Sequence, residues 1–235
     1  MAKGVRVRGW DPDPRTIPDG LDFASSNPAA VSGADIGLSV NWASVAADVA
    51  AEVAPVLQPQ QLFADLNTAA PQSKRDVAAI IEKSGALFVD AALMEPVLPK
   101  GLGTPVYASG SGAEVFAEQM TPLGMPVTLL DREAGQAATH KLVRSIVYKG
   151  MAAVVMECLE AAQALNVSEF ARAQLLTILR DEAMIDRFVK GSIKHAQRRV
   201  HEMEAVVEML DAIGVSAFSS QAARQRLKEI AEKKR

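Results

Sequence analysis

Residues 135–150 read GQAATHKLVRSIVYKG, and within this Ala/Val/Leu-rich run Lys141, Ser145, Tyr148 and Lys149 stand at i, i+4, i+7 and i+8, with Arg144 beside them. That spacing sets ammonium groups and hydroxyls on one face of a helix. A lysine held in a partly dry site can give or take a proton near neutrality, and oxidation of an alcohol to a ketone needs such a group on the hydroxyl. The plainer alternative is that Lys141, Arg144 and Lys149 form the wet side of an amphipathic helix, and periodicity alone leaves both readings open. Arg144 could clamp a carboxylate or phosphate through its two-pronged guanidinium, or pair with a nearby acid.

Other chemistry-bearing residues are fewer. Asn41 follows the β-like run 36–40, and Asn67 and Thr68 follow the run 62–66. In an open α/β sheet such strand ends are where ligands bind, although Asn and Thr at these places also serve as turn residues and helix caps. SGSGAEVF places Gly110 and Gly112 before a helix-like stretch with Asp131 about 20 residues later, which imitates a dinucleotide fingerprint, but Val115 stands where its third glycine belongs. His140, His195 and His201 never fall at i, i+4 with one another, so no metal site is expected. Neither a GxSxG elbow nor a cysteine-nucleophile signature occurs.

The runs 5–10, 36–40, 62–66, 87–91, 106–109 and 127–130 are short and β-like. They alternate with helical stretches at 43–56, 71–83 and 113–123. This is the grammar of βαβ units over a largely parallel sheet. Residues 11–27, rich in Pro, Asp and Ser, are expected to form a loop with a weak strand near 21–23. Beyond Asp131 only helical periodicity remains, at 135–165, 168–179, 183–213 and 221–233, so the expected division is an α/β domain over 1–132 and an all-helical domain over 133–235.

Composition bounds the partners. With 49% hydrophobic residues, 23% charged residues and a net charge of −3, the chain has enough apolar material for a core and no general attraction to phosphate backbones, so no nucleic acid is expected. No apolar run approaches the roughly 20 residues needed to cross a bilayer, and MAKGVRVRGW lacks the apolar core of a signal peptide. The single cysteine, Cys158 in VVMECLEAA, excludes an intrachain disulfide and is expected to be a packed thiol. A cytoplasmic location follows as the expectation, with no membrane partner.

The order DLNTAAP (65–71), VDAALMEPV (89–97), YASGSGAEVF (107–116) and AGQAATHKLVRSIVYKG (134–150) resembles the 6-phosphogluconate and 3-hydroxyisobutyrate dehydrogenase superfamily over nearly the whole chain. It is most similar to a poorly characterised branch sharing an ALMxPV-like segment, a KLxRSxxxKG helix and an RRxxEM-like segment, here residues 198–203. The resemblance implies a Rossmann domain binding NAD or NADP, followed by a helical domain that forms a homodimer. It also implies hydride transfer to or from a small-molecule hydroxy acid or alcohol. Lys141 matches the family's catalytic lysine. Ser145 stands where the family has an asparagine, and Met94, Glu95 and Pro96 replace its Ser-Gly-Gly substrate loop. Asn67 and Thr68 are implied near substrate, Asn41 near cofactor, and Asp11, closing VRVRGWD, on the adenosine ribose, which favours NAD over NADP.

The family opens with a strand, a GxGxxG turn and a helix that hold the pyrophosphate. Met1 to Gly4 resembles only the tail of that helix, so the α/β domain is expected to be N-terminally incomplete, with two strand edges unpaired where the central strand belongs. The accompanying explanations are a shortened chain, a segment supplied in trans, or a dimeric remnant that binds a small anion or a protein partner without catalysis.

Overall fold

The central strands of the larger sheet, Leu62–Asp65 and Leu87–Leu93, are short runs rich in Leu, Phe, Val and Ala, because strands covered on both faces have no solvent side to alternate toward. The computed structural model describes residues 4–233; Met1 to Lys3, with the helix-tail resemblance they carry, lie outside the described residues. The chain divides into two units, Met1–Lys141 and Leu142–Arg235.

In the first unit β1 (Arg8–Gly9) pairs in parallel with β2 (Asp22–Phe23) as a two-stranded sheet. A second sheet has the order β3 (Ile36–Ser39), β4 (Leu62–Asp65), β5 (Leu87–Leu93), β6 (Val106–Ser109) and β7 (Val127–Leu129). Neither β1 nor β3 has a partner on its other edge among the described residues. Strands β3, β4 and β5 are parallel, but β6 runs antiparallel to β5, so the sheet is mixed. The connection explains the reversal: residues 94–105 hold only a one-turn 3-10 segment, Gly101–Gly103, and the Met94 N–H donates to Pro105 O at 2.9 Å, folding the chain straight back.

Helices cover both faces. On one, α2 (Ala46–Val53) and α3 (Pro71–Glu82) bury Ala50, Val53, Val77 and Ile81 against Phe63 and Phe88. On the other, α4 (Ala113–Met120) packs Phe116 and Met120 on Leu62, Val89, Val106 and Ala108. Each fully buried Phe contributes on the order of 1.5–3 kcal/mol of transfer free energy. Pro71 opens α3, where a missing N–H costs nothing. A short helix not expected from the sequence, α1 (Asn27–Val31), forms because Ser26 Oγ caps the Ala29 N–H at 3.2 Å and Pro28 sits in its first turn.

The helix α5 (Gln136–Ala164) begins in the first unit and continues into the second, which otherwise contains α6 (Ser168–Leu179), α7 (Glu182–Lys194), α8 (Ala196–Ala212) and α9 (Phe218–Glu232). Residues 183–213 are thus two helices rather than the expected one, separated by His195 at φ −118°, ψ 26°. Their buried positions Ile185, Phe188, Ala196, Val200 and Met203 keep near-helical spacing across the break, which hides it from periodicity. Cys158 is exposed, not packed, because Val155, Met156 and Ala162 take the inward positions of α5. Among the described residues no helix is long and apolar enough to cross a membrane.

Candidate active site

Four strands of the larger sheet carry a polar residue at the same rung. Ser39 pairs with Asp65, Asp65 with Asp90, and Asp90 with Ser109, so the four side chains project to one face of the sheet. All are buried, Asp90 and Ser109 completely. Lys74 of α3 reaches them with its ammonium 1% exposed: Nζ donates to Asp65 O at 2.9 Å and stands 3.0 Å from Asp65 Oδ2 and 3.5 Å from Asp90 Oδ1. Neither of those carboxylate oxygens accepts a hydrogen bond, so Lys74 holds them by charge.

The other side of the rung holds the start of α5. Asp90 Oδ2 accepts the backbone N–H groups of Gly135 (3.1 Å) and Ala138 (2.9 Å), while Ser109 Oγ accepts that of Ala137 (3.1 Å) and donates to Asp90 at 3.4 Å. One ammonium against two carboxylates leaves a negative balance, which the partial positive charge of about +0.5 at a helix N-terminus offsets. His140 packs edge-on against Tyr107 of β6, with ring centroids 6.1 Å apart. Lys141, half-buried, follows on the same stripe of α5 as Ala137 and Ala138.

Beyond the rung, Asn41 and Asn67 close on each other. The Asn67 carboxamide accepts the Asn41 N–H at 2.6 Å and donates to Asn41 Oδ1 at 2.8 Å and Ser39 Oγ at 3.2 Å, and the Asn67 N–H donates to Asp65 Oδ1 at 2.9 Å. Thr68 and Met94 are half-buried, whereas Glu95 and Pro96 are exposed and Glu95 is ion-paired to Lys100 at 2.6 Å. Asp11 is separate from this group. It is exposed, its Oδ1 accepts the Asp13 N–H at 2.8 Å, and it borders a concavity of about 480 Å³ lined by Gly9, Trp10, Arg15, Leu21 and Phe23. The Gly110 loop that imitates a phosphate turn is instead pressed on β5: a Cβ at Gly110, whose φ is +104°, would lie 2.6 Å from Phe88 O.

The second unit holds its own buried polar cluster. Lys149 Nζ donates to Ser145 Oγ at 2.8 Å and pairs with Glu202 at 2.5 Å; Glu202 also takes Arg198 at 2.5 Å. Arg199 donates to Ser192 Oγ at 2.7 Å and lies over the Tyr148 ring at 5.5 Å, and exposed Arg144 lies over the same ring at 5.8 Å. Burial pushes the Lys149 ammonium below its ordinary range, opposed by the Glu202 carboxylate and assisted by Arg199 and Arg198.

Lys74, Asp65, Asp90 and Ser109 were not singled out by sequence reasoning. The signal is present: IGLS, LFAD, LFVD and VYAS each place their polar residue fourth in an apolar run. Four strands with one polar residue at one offset make a buried rung when register aligns them.

Residues 162–230 match the model of a domain of unknown function, DUF1932. A conserved hypothetical protein from Sinorhizobium meliloti is 27% identical over 95% of this chain and 79% of that one, with a TM-score of 0.74. A conserved protein of unknown function, described as structurally similar to 3-hydroxyacid dehydrogenases, is 28% identical over 91% of this chain and 80% of its own, with a TM-score of 0.71. The Mycobacterium tuberculosis 3-hydroxyisobutyrate dehydrogenase, solved with L-serine, shares the fold at a TM-score of 0.75 and 17% identity, covering 91% of this chain and 79% of that one. The mixed sheet followed by helices matches the 3-hydroxyacid dehydrogenase fold, and the superfamily resemblance of the sequence is supported.

Proposed function

We propose that this chain, whose fold is that of the 3-hydroxyisobutyrate dehydrogenase-like superfamily, is an NAD(P)-dependent oxidoreductase acting on a small hydroxy acid or alcohol. The observation that carries the proposal is the anchoring of α5, the helix bearing Lys141, to the same buried rung that clamps Asn67 and Asn41 at the strand ends. Lys141 is the acid/base: its Nζ takes the hydroxyl proton during oxidation and returns it to the carbonyl oxygen during reduction. Asn67, Thr68 and Ser145 orient the substrate by hydrogen bonds, Arg144 holds an anionic group on it, and Met94, Glu95 and Pro96 shape the wall.

The Asp11 carboxylate beside Trp10 suits a ribose diol and a flat base, so Asp11 would hold the adenosine end of NAD or NADP and Asn41 would lie toward the nicotinamide. When bound, the nicotinamide supplies the site that accepts or donates hydride. A homodimer through α5 belongs to the same proposal, because Val143, Val147, Met151 and Val154 leave an apolar stripe exposed along one face of that helix. The proposal extends to a cytoplasmic location.

The separate β1–β2 sheet and the edge of β3, unpaired among the described residues, favour a second reading, a non-catalytic dimer that binds a small anion or a protein partner. Titration calorimetry with NAD⁺ and NADP⁺, followed by nicotinamide absorbance with 3-hydroxyisobutyrate and L-serine as probes, separates the two. Dissociation constants of about 1–100 μM with a substrate-dependent absorbance change are expected. Absence of both contradicts the oxidoreductase reading.

A further inference from the structure

Gly135, immediately before α5, cannot carry the Asp or Ser that ordinarily caps a helix start, since its φ is +96° and a Cβ there would lie 2.8 Å from Pro71 O. The cap comes from the middle of the sheet instead. Asp90 of β5 takes the Gly135 and Ala138 amides and Ser109 of β6 takes that of Ala137, so the origin of α5 is referenced to two adjacent strands and not to the loop that precedes it. The same rung reaches the opposite way through Asp65, whose Oδ1 holds the Asn67 amide, and Lys74 joins the two carboxylates. Helix and loop therefore share one rigid datum, fully buried and charge-locked.

We propose that Asp90, Ser109, Asp65 and Lys74 are positioning residues, which together fix Lys141 and the Asn67 loop in register with each other. The proposal rests on the reading of Lys141 given under Proposed function, although its geometric half can be measured independently. Proton transfer is sensitive to misplacement of about 1 Å, and a helix whose first turn donates three backbone hydrogen bonds to two side chains in the core has little freedom to drift. A role in fold stability alone predicts that weakening the rung loosens the whole unit. A positioning role predicts a local change at residues 135–141.

The test uses the full chain with Asp90→Asn, which keeps the side-chain shape and removes the charge. Amide exchange followed by mass spectrometry reads residues 135–138, and acetic anhydride labelling reads Lys141 against Lys100 as an internal reference. Expected is exchange faster by about tenfold at 135–138, the loss of one strong charge-assisted hydrogen bond, with Lys141 labelling changed by about threefold or more and α4 exchanging at its wild-type rate. A folded Asp90→Asn protein with wild-type exchange and labelling overturns the proposal, and so does an equal rise throughout the unit. Where Asp90→Asn fails to fold, Ser109→Ala decides by the same readouts, with Ser109→Thr expected to restore the Ala137 amide.

Turnover of 3-hydroxyisobutyrate supplies the remaining arm. Asp90→Asn is expected to lower kcat while leaving the cofactor KM within about twofold, since misplacement touches the chemical step more than ground-state binding. Wild-type turnover in Lys141→Ala removes the acid/base reading, and the exchange and labelling results still judge the positioning.

Discussion

Two lysines are buried among the described residues, and their surroundings set them apart. Lys74 lies between two carboxylates that have no hydrogen-bond donor on the oxygens facing it, and its nearest charges are all opposite to its own. Lys149 shares one carboxylate, Glu202, with Arg198, and has Arg199 close by, so its cluster holds three cations to one anion. Burial disfavours a charge in both places, but only the first surrounds it with enough compensation to make the ammonium a structural keystone. The second leaves a lysine whose proton is held loosely. Buried lysines therefore cannot be sorted by burial alone.

The largest expected effect breaks the first cluster. Lys74→Met leaves Asp65 and Asp90 buried and uncompensated, and should lower the unfolding free energy by about 3–5 kcal/mol, read as a fall in the urea midpoint. A change below about 1 kcal/mol would mean that the rung is wetter and weaker than its geometry implies. Gly135→Ala attacks the same cluster from the helix side, through backbone strain and contact with Pro71 O, and should cost about 1–3 kcal/mol in the same assay. Lys149→Met is expected to cost only about 1 kcal/mol, because Glu202 keeps Arg198 and the lost hydrogen bond to Ser145 is partly offset by relief of a buried charge. An equal loss for Lys74→Met and Lys149→Met would erase the contrast.

The smallest effect is the pH dependence of the second cluster. In the folded chain the Lys149 ammonium titrates below its ordinary 10.5, so as pH rises through the folded value the native state releases this proton while the unfolded chain still holds it. The unfolded state then binds more protons, and stability gains with pH until 10.5. The urea midpoint of wild type minus that of Lys149→Met should therefore rise with alkaline pH. A flat or falling difference contradicts the assignment.

Much of the sheet was readable because each strand is an apolar run bounded by turn residues, and runs such as 106–109 coincide with observed strands. The reversal of β6 was not readable, since direction is decided by the 94–105 loop folding back and not by the strand residues themselves. The pairing of Asn41 with Asn67 follows from their common place after neighbouring strands. The rung escaped notice because a single Asp or Ser in a hydrophobic run looks like noise until register aligns four of them. Likewise, Ser145 and Lys149 were legible as one stripe of α5, but Glu202, the carboxylate that pairs with Lys149, comes from α8, which sequence spacing cannot reach.

Lys141→Ala in the full chain, measured by steady-state nicotinamide absorbance with cofactor affinity determined in parallel, decides whether this lysine is the acid/base. Loss of a general acid/base predicts a fall in kcat of about 10²–10⁴-fold with the cofactor dissociation constant essentially unchanged. Turnover at the wild-type rate in a folded Lys141→Ala protein would contradict the account.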